Sequence, residues 1–233
     1  KKDKSGRGSL TQLDAIVKYV HDYCEKVHLD KLPDICLPAL SEHIDFALQE
    51  TAAAGDGGFY ADLGIYDDPD NQYQGVYSVD VGSQNTIIIG SAQTGKTNIL
   101  QNIIRSLSSR YTPEEVSIYV LDFASMVLKN FDSLNHVGGV VCASEDEKLK
   151  NLFKLLRTEM EERKERLISV GVSSFTAYRE AGRTDLPQIV LIIDNLTALK
   201  ELYFQDDDEL LNLCREGITV GISVVIANAQ TAG

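Results

Sequence analysis

Positive charge is scarce in this sequence. Its 233 residues carry 22 Lys and Arg against 35 Asp and Glu, a net charge of −13. So acidic a chain repels a phosphate backbone at long range, and nucleic-acid binding would need a neutralising stripe of Lys and Arg. No such stripe is present, so no nucleic acid is expected as a partner. Long apolar runs are also missing: the longest, residues 189–193, falls far short of the ~20 residues that span a bilayer. Residues 1–9 are basic and contain Gly and Ser, but no apolar run follows them. They do not read as a secretory signal and are set aside as linker. There are only four cysteines, Cys24, Cys36, Cys142 and Cys214, and no C-x-x-C pair. Cys142 and Cys214 lie in or beside apolar stretches, which suggests buried free thiols in a reducing compartment rather than disulfides or zinc. What is present is ordinary for a globular protein: 43% hydrophobic and 24% charged residues. That balance excludes disorder, collagen and low-complexity fibre. The length suits one α/β domain with an appendage.

The chain divides at about residue 57. In 10–29, apolar Leu10, Leu13, Ile16, Val17, Val20 and Cys24 recur at helical spacing, with Thr11 or Ser9 as cap. Pro33 and Pro38 mark an extended connector, and 41–54 reads as a second short helix broken by the glycines of 55–58. Residues 1–57 are therefore a helical arm without evident chemistry. From 58 to 233 the pattern changes. Two β-prone runs, 59–66 and 75–81, flank Asp67-Asp68-Pro69-Asp70-Asn71, a strong turn signal. Strands are then expected at 86–89, 116–121, 136–142, 188–193 and 221–227, and helices at 98–110, 146–170 and 209–216. Apolar strands separated by helices imply a mostly parallel sheet covered on both faces, an α/β fold.

The informative segment is Gly90-Ser91-Ala92-Gln93-Thr94-Gly95-Lys96-Thr97, followed by Asn98. It fits G-x-x-x-x-G-K-[ST], the phosphate-binding loop. Consecutive backbone N–H groups wrap a β-phosphate, and the following helix points its positive end at the same anion. Lys96 supplies a point charge to the β- and γ-phosphates, and the Thr97 hydroxyl ligates Mg²⁺. The context fits, because Ile87-Ile88-Ile89 precedes the loop and Ile99, Leu100, Ile103, Ile104 and Leu107 follow at helical spacing. ATP with Mg²⁺ is the expected ligand.

A second apolar run, Ile189-Val190-Leu191-Ile192-Ile193, ends in Asp194. A carboxylate at the C-terminal end of such a strand sits where α/β sheets bind ligands. This is the Walker B arrangement, with Asp194 holding Mg²⁺ through water. The next residue is Asn195, which cannot accept a proton at neutral pH and can only orient the attacking water. General-base help is worth ~10²–10⁴ in rate. Lys96, Asp194 and Asn195 thus form a site expected to bind ATP and turn it over slowly. The last strand leads to Asn228 and Gln230, candidate sensors of the γ-phosphate. Arg157, Arg163, Arg166, Arg183 and Arg215 are candidates for an arginine finger offered to a neighbouring subunit, although most must be surface charges. His136, Met126 and Met160 read as packing residues, and residues 206–209 as a solvated loop and helix start.

Three segments carry a resemblance to a known family: the loop at 90–97, the strand ending Asp194-Asn195, and GITVGISVVIA at 217–227. Together they resemble the FtsK/SpoIIIE-type ATPases, and in particular the tandem ATPase modules of the type VII secretion ATPase of Gram-positive bacteria. LGIYDDP at 63–69, VSIYVLDF at 116–123, LNHVGGV at 134–140 and the leading helix at 13–17 are similar to that family in the same order. The resemblance covers nearly the whole chain from Leu10. It implies a RecA-like core and a cytoplasmic ATP-binding module, one of several repeated in a protein anchored at the cell membrane. It also implies other modules of the same chain and exported WXG100-type proteins as partners, and a hexamer with fingers acting between subunits. The family's usual middle glycine of the phosphate loop falls on Gln93, and its usual Walker B glutamate on Asn195; both departures are those of the later, degenerate modules. The alternatives are a DNA translocase module, which the charge opposes, and a nucleotide-free scaffold that binds a partner.

A RecA-like core has strand order 5-1-4-3-2. Residues 86–89, 116–121, 188–193 and 221–227 supply strands 1, 2, 3 and 4, and 136–142 adds a strand at the far edge. Strand 5 has no candidate before Gly233. Either this is a piece of a longer chain, or the tail is unseen, or the hairpin of 59–81 covers strand 1, which would otherwise be an exposed apolar edge.

Overall fold

A computed structural model of the chain describes residues 11–30, 32, 35–45, 58–203 and 208–230. They fall into two compact units, one of residues 1–40 with 68–73 and one of residues 41–67 with 74–233.

In the first unit, helix α1 runs Gln12–Lys26. It starts where a capping box forms: the Asp14 N–H donates to Thr11 Oγ1 (3.2 Å), and the Thr11 N–H returns a bond to Asp14 Oδ2 (2.9 Å). Its apolar stripe, with Leu13, Val17 and Val20, is exposed. The turn at 68–73 is closed by Asp68, whose carboxylate accepts from the Asn71 backbone and side chain. The second helix expected at 41–54 does not begin at its start, since 41–45 are bends and irregular backbone; 46–54 lie outside the described residues.

In the second unit, strands β1 (Tyr60–Asp68) and β2 (Tyr73–Asp80) pair as a separate two-stranded sheet. Five parallel strands form the main sheet: β3 (Thr86–Ile89), β4 (Val116–Asp122), β5 (Val137–Cys142), β6 (Gln188–Asp194) and β7 (Ile222–Asn228). Their order is β3-β7-β6-β4-β5, which is the 1-4-3-2 order expected, with the extra strand at the far edge. Parallel order follows from the helices between strands: α2 (Lys96–Arg110), α3 (Asp146–Val170), α4 (Phe175–Glu180), α5 (Leu196–Tyr203) and α6 (Asp208–Glu216). The hairpin of β1 and β2 does not pair with β3, which has one strand neighbour among the described residues. Ile87 and Ile89 on β3 are accordingly 62% and 50% exposed.

The sheet separates two cores. On one face Ile189, Leu191 and Ile193 of β6 pack with Leu152, Leu156 and Met160 of α3 and Leu213 of α6. On the other, Val190 and Ile192 pack with Leu100, Ile103, Ile104 and Leu107 of α2. The period of two along the strands sends alternate residues to opposite cores, and spacing of three and four puts the α2 residues on one stripe. Buried Arg163 of α3 donates through Nη1 to the carbonyls of Val220 (3.1 Å) and Gly221 (3.3 Å), tying α3 to the 3₁₀ turn Gly217–Val220 that feeds β7. It is 2% exposed and cannot reach a neighbouring subunit as an arginine finger. On the opposite face, β1 is held to α2 by Asp62, which pairs with Arg110 (3.2 Å), accepts from Ser78 and takes its own N–H to Ser106 (2.7 Å).

Candidate nucleotide site

The phosphate loop joins β3 to α2, and the helix begins at Lys96, two residues earlier than the sequence suggests. Gly95 precedes it with φ +91, a left-handed conformation that suits glycine. Gln93 is also left-handed, with φ +63. The position where related loops carry glycine therefore keeps the glycine conformation and carries strain of about 1–2 kcal/mol. Gly90 is required for a different reason: a Cβ there would come within 2.5 Å of the Thr94 hydroxyl oxygen. That hydroxyl donates to the Ser91 carbonyl (2.9 Å) and closes the loop on itself.

Lys96 Nζ donates to the carbonyls of Gly90 and Ser91, each at 2.7 Å. An ammonium has three N–H groups, so a donor remains for an anion in the loop. A cavity of about 270 Å³ lies here, lined by Gln93, Thr94, Gly95, Lys96, Thr97 and Asn98. Ser91 and Ala92 belong to the same loop but stand outside that lining.

Thr97 Oγ1 donates to Asp194 Oδ2 at 2.8 Å, so the two Mg²⁺ candidates, 97 positions apart in sequence, meet. A hydroxyl and a carboxylate form the hard-oxygen donor pair that Mg²⁺ takes. Burial pushes the Asp194 carboxyl above its ordinary range; the Thr97 hydrogen bond opposes this, nearby Asp122 adds to it and Lys96 opposes it. Asp194 is 2% exposed. Asp122 ends β4 in register beside it. Sequence reasoning did not single out Asp122, although it ends an apolar strand just as Asp194 does. Its carboxylate accepts from the backbone N–H groups of Ala124, Ser125, Met126 and Leu128 at 2.9–3.3 Å and so shapes the loop next to Asp194.

Asn195 is occupied. It has φ +73, its Oδ1 accepts from the Ala198 N–H (3.2 Å), and its Nδ2 donates to the Phe123 carbonyl (3.4 Å). It caps α5 and braces the Asp122 loop. Asn228 is also engaged: Oδ1 accepts from the Thr197 N–H and hydroxyl, and Nδ2 donates to the Gln230 carbonyl. Gln230 itself is exposed. Of the remaining arginines, Arg157 pairs with Glu209 and Arg166 with Asp185. Among the described residues no helix is long and apolar enough to cross a membrane.

The sequence profile of the FtsK/SpoIIIE family matches residues 70–232. The ESX secretion system protein EccC of Geobacillus thermodenitrificans is 25% identical over 231 residues, covering 99% of this chain and 15% of that protein. The chain thus spans less than a fifth of the length of that relative. Among solved structures, EssC (ATPases 2 and 3) from Geobacillus thermodenitrificans superposes with a TM-score of 0.71 at 26% identity, over 84% of this chain and 37% of that one. Thermomonospora curvata EccC (ATPases 2 and 3), solved in complex with a signal sequence peptide, gives a TM-score of 0.70 at 27% identity, over 83% and 36%.

Proposed function

Because the chain belongs to the FtsK/SpoIIIE family, we propose that it is the ATP-binding part of a type VII secretion ATPase, with slow intrinsic turnover. The observation that carries this reading is the meeting of Lys96, Thr97 and Asp194 around a loop built for phosphate. Bound Mg²⁺ would neutralise charge on the β- and γ-phosphates. The chain's own groups would hold the nucleotide: Lys96 by its remaining N–H, the loop by its backbone, and Thr97 and Asp194 by their oxygens. The resemblance to EccC and EssC supports neighbouring ATPase modules, exported WXG100-type proteins and a hexamer as partners, on the cytoplasmic side of a membrane-anchored protein. In that setting residues 1–57 would be the arm and 58–233 the ATPase core, and a finger would come from a neighbour. A finger in trans is worth ~10³–10⁵ in rate, and its absence from the isolated chain is a second reason for slow turnover.

The test is a titration of fluorescent ATP with Mg²⁺ into the wild type and Lys96→Ala. Charge-assisted hydrogen bonds are worth about 1.5–3 kcal/mol, so the variant should bind at least about tenfold more weakly. Equal affinities would remove the nucleotide assignment.

A further inference from the structure

Asp122 ends β4 as Asp194 ends β6, and the two are partners in the parallel register, one strand spacing, ~4.8 Å, apart across the sheet. Register partners on these strands share a face: Leu121 and Ile193 pack in one core, Val120 and Ile192 in the other. Asp122 and Asp194 therefore leave the sheet on the same side, at the end that carries the phosphate loop. Asp122 is 1% exposed. Its carboxyl meets only backbone N–H donors, those of Ala124, Ser125, Met126 and Leu128. A protonated carboxyl would set its O–H against one of them, so this setting holds an anion.

Four N–H dipoles orient and stabilise that charge but do not cancel it, and burial keeps water from screening it. The neighbouring carboxyl feels the field: burial raises Asp194, and Asp122 adds to the rise. Asp122 is also fixed in relation to Asp194 and Asn195 by the main chain. The Phe123 N–H donates to the Asp194 carbonyl (3.1 Å), and the Phe123 carbonyl accepts from Asn195 Nδ2 (3.4 Å). A fixed negative charge at this place acts in opposite senses on the two components of the expected ligand. It repels the phosphates of ATP and attracts Mg²⁺.

We propose that Asp122 makes the site selective for the magnesium complex over free ATP. From its buried place, without ligating the ion, its charge favours Mg²⁺ beside Thr97 and Asp194 and disfavours nucleotide that arrives without it. This role rests on the nucleotide reading and deepens it, from which residues hold ATP to which form of ATP is taken. Across one to two strand spacings, ~5–10 Å, a unit charge and a dication attract by about four- to sixteenfold in equilibrium constant even at the dielectric constant of water.

Fluorescent ATP is titrated into the 233-residue chain in MgCl₂ and again in EDTA, and the ratio of the two dissociation constants is read. Asp122→Asn should lower the preference for the magnesium form by about four- to sixteenfold, through weaker binding in MgCl₂ and equal or tighter binding in EDTA. Loss of a mere brace would weaken both. The substitution sets an amide NH₂ against backbone N–H groups and should melt lower. It is therefore repeated in Asp194→Asn, where neutralising the neighbouring buried carboxyl offsets part of the loss. The same fall in preference is expected there, because the charge acts on the ion and not through Asp194. Met126→Gly, at φ +57 in the same loop, frees the backbone with the charge kept and should leave the preference unchanged. Equal weakening in both media, a fall that vanishes in the Asp194→Asn background, or an equal fall in Met126→Gly would each overturn the role of Asp122 and leave the nucleotide reading standing. A wild type that binds ATP in neither medium would overturn both.

Discussion

In the proposed nucleotide site Asn195 would stand where a base activates water, yet its side chain is already committed to the Ala198 N–H and the Phe123 carbonyl. Asparagine also tolerates φ +73 better than glutamate does. Asn195→Glu should therefore not restore hydrolysis. It loses the cap, worth about 1 kcal/mol, and adds strain of about 1–3 kcal/mol, so we expect turnover within about tenfold of wild type and a lower melting temperature. Steady-state phosphate release together with thermal melts checks this, and a large gain in turnover would show that the missing base alone limits the rate. Asp194 gives a pH prediction. Its carboxyl is raised by burial, so the folded chain holds the proton more tightly than the unfolded one. Its contribution to stability is fully present below the ordinary Asp range, near 3.9, and is lost as pH rises through the folded value. Asp194→Asn should melt higher than wild type at neutral pH, with the difference disappearing in acid. Melting curves across pH check it, and an equal or lower neutral melting temperature would contradict it.

At the scale of the element, α3 shows how a charged residue can belong to the core. Leu156, Met160, Arg163 and Leu167 follow one another at spacings of four, three and four and are all buried. The spacing was available in the sequence, but a charge on an apolar stripe reads equally as a long side chain reaching solvent. Only the fold places the carbonyls of Val220 and Gly221 opposite Arg163. Burial lowers the Arg163 pKa, and its bond to Glu159 opposes this. Arg163→Ala takes the guanidinium from the Val220 carbonyl, while that of Gly221 keeps the Ile189 N–H, leaves Glu159 without its partner and opens a cavity, for an expected loss of about 3–5 kcal/mol. At ~2–4 °C per kcal/mol for a chain of this length, the melting temperature should fall by roughly 10 °C. A melt within a degree or two of wild type would show that water replaces the guanidinium.

For the whole molecule, the net charge of −13 decides between the two uses of this fold. Affinity for duplex DNA rises with the number of phosphates that cations neutralise, and this chain is 13 cations short of neutrality. We expect no mobility shift of duplex DNA at physiological salt with micromolar protein. A salt-sensitive shift would return the chain to the translocase reading.

The sequence alone determined the local and periodic features. Apolar runs of the right length specified the five parallel strands, helical spacing specified α2 and α3, and the G-x-x-x-x-G-K-T pattern specified the loop, because each depends on residues close together in the chain. It missed α4 and α5, which are too short for periodicity to show. Tertiary structure alone decided which side chains remain free for chemistry. The bonds that tie Asn195 to Phe123, Asn228 to Thr197 and Arg163 to Val220 join segments that meet only when β4, β6 and β7 lie side by side. A partner that arrives from 31 to 72 positions away leaves no mark in local spacing, so a residue type suited to catalysis and one suited to capping look the same until the sheet is assembled.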